Sequence, residues 1–282
     1  MITFQRRYTA SSCSEMSTLV SGTHERLGRE SLMRKLSRSA PSILRHISSF
    51  VLVPSPRAVT CSADSTLVFW DLDRGVEKAR ASCGRGVLKL DVDWHASRAL
   101  TGDLGGNMRV WDLDRCNLLR EFRAHEGEVC DLQMNWASQR ALSSGENSTF
   151  RLWDLASCRM VHDLIKPAIV SSLNQFQVSW AGQRALGWSY ISSVLSMWNL
   201  ETGTCVRVLV GHTLWVNDAK ADWDTYRALS SAADGKLLLW DLNDGSVLRA
   251  FDCGRVTADG IEVDWSSSHA LSYGEKGVLL LW

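Results

Sequence analysis

Tryptophan recurs along this chain at a nearly fixed interval, and that interval restricts the fold more than any other feature. Trp70, Trp111, Trp153, Trp198, Trp240 and Trp282 are separated by 41, 42, 45, 42 and 42 residues. A period of this length marks a repeat architecture, in which each copy is one supersecondary unit that buries its apolar face only by stacking on its neighbours. A second series, Trp94, Trp136, Trp180, Trp223 and Trp265, precedes the first by 17 or 18 residues. Together the two series hold eleven of the thirteen tryptophans and leave Trp188 and Trp215 off-pattern.

The sequence around each tryptophan repeats as well. Four copies read Trp-Asp-Leu, at 70–72, 111–113, 153–155 and 240–242, and a fifth reads Trp198-Asn199-Leu200. Between the two tryptophan series stand RALTG (98–102), RALSS (140–144), RALGW (184–188), RALSS (227–231) and HALSY (269–273), with PRAVTCS (56–62) as their first relative. The period inside a copy is that of a strand. LDVDW (90–94), LQMNW (132–136), FQVSW (176–180) and IEVDW (261–265) alternate apolar and polar residues. Short Ser, Asp, Asn and Gly turns then lead to RALSS, to KLLLWDL (236–242) and to SVLRAF (246–251). Each copy is therefore predicted to form four short antiparallel strands, the arrangement of a propeller blade.

These residues resemble the WD40-repeat family. GHTLWVNDAKADWDTYRALSSAADGKLLLWDL (211–242) carries the pattern most fully. The departure is that Trp followed by polar residues replaces the family's usual Ser-Pro-Asp-Gly turn. The resemblance implies an all-β WD40 propeller over residues 1–282 as one domain, with six recognisable repeats at 43–282 and a degenerate partial blade at 1–42. The basis for that extra blade is a worn copy over residues 5–37. LGRESLMRKL (27–36) aligns on LDRCNLLREF (113–122) and LNDGSVLRAF (242–251), and FQRRYTASS (4–12) on SQRALSSGE (138–146). The expectation is seven blades, the first degenerate and the last incomplete. The alternative is six blades plus a basic N-terminal tail, since residues 1–49 hold eight Lys/Arg against three Glu. The partial first and last copies then pair to close the ring, or the sequence belongs to a longer array.

One cluster looks catalytic. His212, Ser230, Asp234 and Trp240 bring together the side chains of a hydrolase triad. The same offsets before the tryptophan give His125, Ser143, Asn147 and Trp153 in the third copy. In the first they give Thr60, Asp64 and Trp70, with Ser42 at the His position; in the second, Cys83 and Gly105 take the His and Asp positions. A catalytic set would be unique, whereas this one recurs and decays. The family resemblance implies a buried structural network instead, in which paired polar groups set blade geometry. Asp91, Asp93, Asn135, Asp222, Glu262 and Asp264 in the first strands read as turn caps; a cation site in a central channel is the competing reading.

In the family, partners dock on one loop face. Mapping by offset selects Glu128, Ser172, Asn174, Trp215, Asn217, Thr257 and Asp259, with Trp188 and Tyr190 in the one turn that carries an inserted residue. Trp215 stands where other copies have Gly, Glu, Ser or Thr. A partner-binding patch is expected at Trp215, with Tyr190 and Trp188 beside it; burial of Trp188 between blades is the alternative. Aromatic anchors of this kind dominate binding surfaces.

Thirty-one basic residues balance thirty-one acidic ones, which argues against nucleic-acid or acidic-lipid binding through net field. Eight cysteines include no C-x-x-C pair, so free thiols in a reducing compartment are expected. The expected location is the cytoplasm, with the nucleus as the alternative. No apolar run approaches a membrane span. Phosphate loop, dinucleotide and H-E-x-x-H motifs are missing. RKLS (34–37) matches a basophilic kinase site at Ser37, an idle match if the segment is a strand. The chain thus reads as a non-catalytic scaffold that binds other proteins as a monomeric propeller within a larger complex, without cofactor or metal. Alternatives are a ubiquitin-ligase or RNA-associated adaptor, and an enzyme with a central pocket.

Overall fold

The computed structural model describes residues 2–5, 47–52, 57–170, 172–254, 257–274 and 279–282, with side chains from residue 57 onward. Every regular element among them is a strand, and every pairing is antiparallel. The chain contacts sort it into two compact units, residues 1–124 and 125–282, where the repeats alone read as one domain. The division falls between two copies, as expected of an architecture built on nearest-neighbour contacts.

The first unit holds two sheets. One runs β1 (Ile2–Gln5), β2 (Ile47–Leu52), β3 (Arg57–Ser62), β4 (Thr66–Asp71) and β5 (Val76–Ser82), in that spatial order. The other is β6 (Val87–Asp93), β7 (Arg98–Asp103), β8 (Asn107–Asp112) and β9 (Asn117–Arg123). The worn copy expected over residues 5–37 and the Ser42 position fall almost wholly outside the described residues. At its margin β1 pairs with β2, Ile2 opposite Leu52, as a fifth strand of the first sheet.

The second unit holds four sheets. The third is β10 (Val129–Asn135), β11 (Arg140–Gly145), β12 (Phe150–Asp154) and β13 (Arg159–Leu164). The fourth is β14 (Gln175–Ser179), β15 (Arg184–Trp188), β16 (Val194–Asn199) and β17 (Thr204–Val210). The fifth is β18 (Val216–Asp222), β19 (Arg227–Ala232), β20 (Lys236–Asp241) and β21 (Val247–Asp252). The sixth has three described strands, β22 (Ala258–Asp264), β23 (His269–Gly274) and β24 (Leu279–Leu281).

Each residue of the Trp-Asp-Leu string has a separate task. The tryptophan sits opposite the Ala of RAL, as in Ala141 opposite Trp153 and Ala228 opposite Trp240. A register shift just before it recurs in all five sheets with a fourth strand; such bulges sharpen strand twist. The Asp accepts backbone N–H bonds that close the following turn: Asp112 from Asp114 and Arg115, Asp154 from Ser157. Asn199 does the same for Glu201 and Thr202, so Asn is an equivalent cap. The Leu N–H donates to the carbonyl of a residue held at positive φ: Leu113 to Ser97, Leu155 to Gln139, Leu200 to Gln183 and Leu242 to Tyr226, at 2.8–2.9 Å. Asp93, Asn135, Asp222 and Asp264 close the turns after the first strands. Asp91 and Glu262 depart from the cap reading because they lie mid-strand, opposite Leu100 and Leu271, and Glu262 faces Lys220 at 3.5 Å.

Inside the second unit the first strands are laced to each other by side chains that imitate ladder bonds. Gln133 donates to Phe176 O and accepts from Val178 N (2.8 and 3.2 Å). Gln177 repeats this one sheet on, with Ala221 O and N (3.3 and 2.7 Å). Asp131 and Asp218 accept from Phe176 N and Ile261 N. These buried and half-buried polar groups are thus paired across the sheets. The apolar cores lie between successive sheets; one gathers Leu186, Trp188, Val216, Ala219, Leu238 and Trp240.

Candidate functional site

The fifth sheet shows how the recurrent polar network is made. Trp240 Nε1 donates to Ser230 Oγ at 2.8 Å, His212 Nε2 meets that hydroxyl at 2.8 Å, and His212 Nδ1 meets Asp234 Oδ2 at 3.0 Å. The Asp234 carboxylate can only accept, so Nδ1 carries the proton; a neutral imidazole then leaves Nε2 bare, and Ser230 donates its O–H to Nε2 while accepting from the indole. That is the tautomer of a hydrolase triad. Yet Ser230 is fully buried, and the Trp240 indole occupies the hydroxyl that a nucleophile would need. The arrangement ties two strands, β19 and β20, to the turn between them and to the loop before β18.

In the third sheet Trp153 donates to Ser143 (2.9 Å), which meets His125 Nε2 (2.7 Å). Here the expected Asn147 does not reach the imidazole. Thr149 intervenes, meeting His125 Nδ1 at 3.1 Å and donating to Asn147 at 2.7 Å, because the Asn amide oxygen lies one side chain further along the turn. The indole bond recurs at Trp70–Thr60, Trp111–Thr101 and Trp282–Ser272 (2.9–3.0 Å). The second sheet replaces the rest with a buried Arg109 held between Asp103 and Glu121. In the fourth, Trp198 turns to Ser196 at 3.1 Å.

Burial holds both imidazoles neutral. It pushes His125 down to about 4 and lowers His212 despite Asp234 beside it. An unfolded chain takes up these protons first, near the ordinary histidine value of about 6.5. The stabilisation is therefore complete above that pH and is lost as pH falls through 6.5 towards 4, at up to ~1.4 kcal/mol per unit per histidine. Between pH 6.5 and 5 we expect His125 alone to remove about 2 kcal/mol from stability. Urea midpoints measured across that range test this; a flat profile would contradict neutral burial. Asp234, whose carboxyl lies below its ordinary value, loses its contribution only at still lower pH.

The residues expected to bind partners separate into two groups. Trp215 is 48% exposed, Asp259 is exposed, and Glu128, Asn174, Tyr190 and Thr257 are half-buried. Trp188 is not a surface residue. Only 5% exposed, it lies in the core between the fourth and fifth sheets and donates its indole N–H to Gln175 Oε1 at 3.0 Å. Asn217 is buried too, donating to Ala258 O at 3.0 Å from a bulge in β18, and Ser172 is buried against Ser148. Trp215 itself is rigidly mounted. Its carbonyl accepts from Ala233 N, Val216 N donates to Ser192 O, and Thr213 N donates to Asp234 Oδ2, all at 2.9 Å. The His212–Asp234 network thus fixes the loop that presents the indole.

Two segments match the family model for the WD domain, G-beta repeat, at residues 116–154 and 203–241. Each ends on the Asp that follows a network tryptophan, Asp154 and Asp241. These two segments are WD40 repeats. WD40 repeats indicate a β-propeller protein-interaction domain, with which these antiparallel sheets are consistent, in a family that is generally non-catalytic. The fold is similar to that of the computationally designed Ika8 protein, with a TM-score of 0.70, 18% identity, and 82% of this chain and 69% of that one covered. No curated protein sequence matches this chain. Sequence reasoning missed the lacing residues, although Gln133 and Gln177 stand at one position in LQMNW and FQVSW. It also missed the exposed Ile165, Ile169, Ile191 and Leu214, which lie in the connections between strands.

Proposed function

We propose that this WD40-repeat protein is a non-catalytic scaffold that holds a protein partner on the loop end carrying Trp215. One observation carries this reading: a large aromatic side chain is held out to solvent by a loop whose backbone is bonded on both sides. Half-exposed indoles on rigid mounts lose little entropy on binding and are the usual anchors of interfaces. The polar networks that resemble a catalytic triad serve as mounts. The protein works by shape, in the reducing cytoplasm that its free cysteines suit; Cys83 and Cys253 are pushed up to about 11 by burial and stay protonated. Trp215→Ala is expected to leave the thermal midpoint within about 2 °C, since the side chain supports little of the core. The same change should abolish capture of the partner by the immobilised protein from native lysate. Unchanged capture would remove Trp215 from the interface.

A further inference from the structure

The end of the second unit that bears Trp215 also exposes other large apolar side chains. Ile165 is 82% exposed, Ile169 61%, Ile191 73% and Leu214 45%. Antiparallel pairing places them together: β13, β15 and β17 all finish at this end of their sheets. Side-chain and backbone bonds join the connections. Ser144 Oγ donates to Asn174 O and Ser148 meets Ser172, both at 2.8 Å, and Val216 N reaches Ser192 O. The Ile165–Val170 segment closes on itself, Val170 N donating to Pro167 O and Lys166 Nζ to Val170 O, and Val170 is buried in the core. An apolar surface of this extent on a rigid mount marks a binding site.

Among the described residues at this end, exposed or half-buried carboxylates outnumber ammonium groups. Glu126, Glu128 and Glu146 lie on loops of the third sheet at this same end. Glu146 N donates to Glu128 O at 3.0 Å, and the Glu146 carboxylate lies over Gly127, 2.6 Å from where a Cβ would stand. Asp259 follows the Ala258 carbonyl that Asn217 holds, and it is exposed. Of the described ammonium groups here, Lys166 is turned back onto its own turn, and Lys236 begins β20. Carboxylates rimming exposed aliphatic and indole surface attract cations and repel phosphates, and an exposed indole face is itself a platform for a guanidinium.

We propose that the partner contacts this end through an extended segment in which Arg or Lys alternates with aliphatic residues. The proposal rests on the reading of Trp215 as a docking residue and adds the chemistry of what docks. An aliphatic side chain packs between Trp215 and Ile191, and the neighbouring cations face the Trp215 ring and the glutamates.

The test is fluorescence polarisation of the full chain with three labelled peptides: alternating Arg and Leu, the same with Gln for Arg, and the same with Glu for Arg. The Arg–Leu peptide should bind at least roughly tenfold more tightly than the Glu–Leu peptide, and should weaken as salt rises. Trp215→Ala should cost roughly tenfold. A Glu126→Gln, Glu128→Gln, Glu146→Gln triple variant should cost about threefold to tenfold, whereas Glu201→Gln, at the opposite end, should change nothing. Equal binding of the Glu–Leu peptide, insensitivity to Trp215→Ala, or displacement of the Arg–Leu peptide by oligouridylate would each overturn the proposal. If Trp215→Ala abolishes lysate capture while no Trp215-dependent peptide binding is seen, the docking surface stands and the cationic partner falls.

Discussion

Replacing Trp240 with alanine is expected to destabilise the protein by about 4 kcal/mol, close to the largest loss a single core truncation gives. Trp240 is fully buried, and its ring packs in the core between the fourth and fifth sheets beside Leu186, Val216 and Leu242. Its ring also meets His212 edge-on at a centroid distance of 6.0 Å. Truncation therefore removes apolar contact from two sheets together and leaves the Ser230 hydroxyl without its donor. Trp240→Phe separates these contributions. It keeps most of the packing and deletes the 2.8 Å indole bond, so about 1–2 kcal/mol should be lost. Urea unfolding of both variants is the measurement. An alanine loss below about 1 kcal/mol would mean that the indole does not hold the two sheets together.

What the sequence disclosed and what it concealed differ in kind. The strand quartets, the tryptophan anchors and the Asx turns are local, and each is written in residues a few positions apart. Asp112 caps its own turn and Trp153 reaches a serine ten residues back, so period and offset suffice to find them. Trp188 misleads because it keeps the register of Ser144 and Ser231, and only the fold shows that its larger ring enters a core rather than the surface. Asn217 misleads for a related reason. A bulge in β18 turns its amide to the next sheet, where it binds Ala258 O. The lacing by Gln133 and Gln177 joins residues 43–45 positions apart, and only the fold says which strand faces which. Trp215 could be singled out as an outlier, but its mounting on Asp234 through Thr213 needed three dimensions.

Gly187→Ser is expected to cost about 3 kcal/mol, although every other described repeat carries a hydroxyl there. Thr60, Thr101, Ser143, Ser230 and Ser272 stand at this position and accept the indole N–H of their sheet. By that pattern serine at 187 would restore a missing bond. The neighbouring sheet forbids it. Three residues before its tryptophan the third sheet has Phe150, where other sheets carry Leu67, Met108, Leu195 and Leu237. The larger ring fills the space over Gly187: a Cβ there would stand 2.5 Å from Phe150 Cε2, 2.8 Å from Cζ and 3.3 Å from Leu173 Cδ2. Phe150 is fully buried and packs on Phe176 and Trp198 at centroid distances of 5.2 and 6.2 Å, so it has nowhere to retreat. Overpacking of a tight core costs ~1–3 kcal/mol, and the upper end applies because Trp198 is already satisfied by Ser196 and the new hydroxyl would gain no donor. A double-mutant cycle with Phe150→Leu decides the matter. The smaller side chain should make serine at 187 cheaper by at least ~1 kcal/mol than in the parent. A stabilising Gly187→Ser, or additivity of the two changes, would show that Phe150 and Gly187 are not a large-for-small exchange between adjoining sheets.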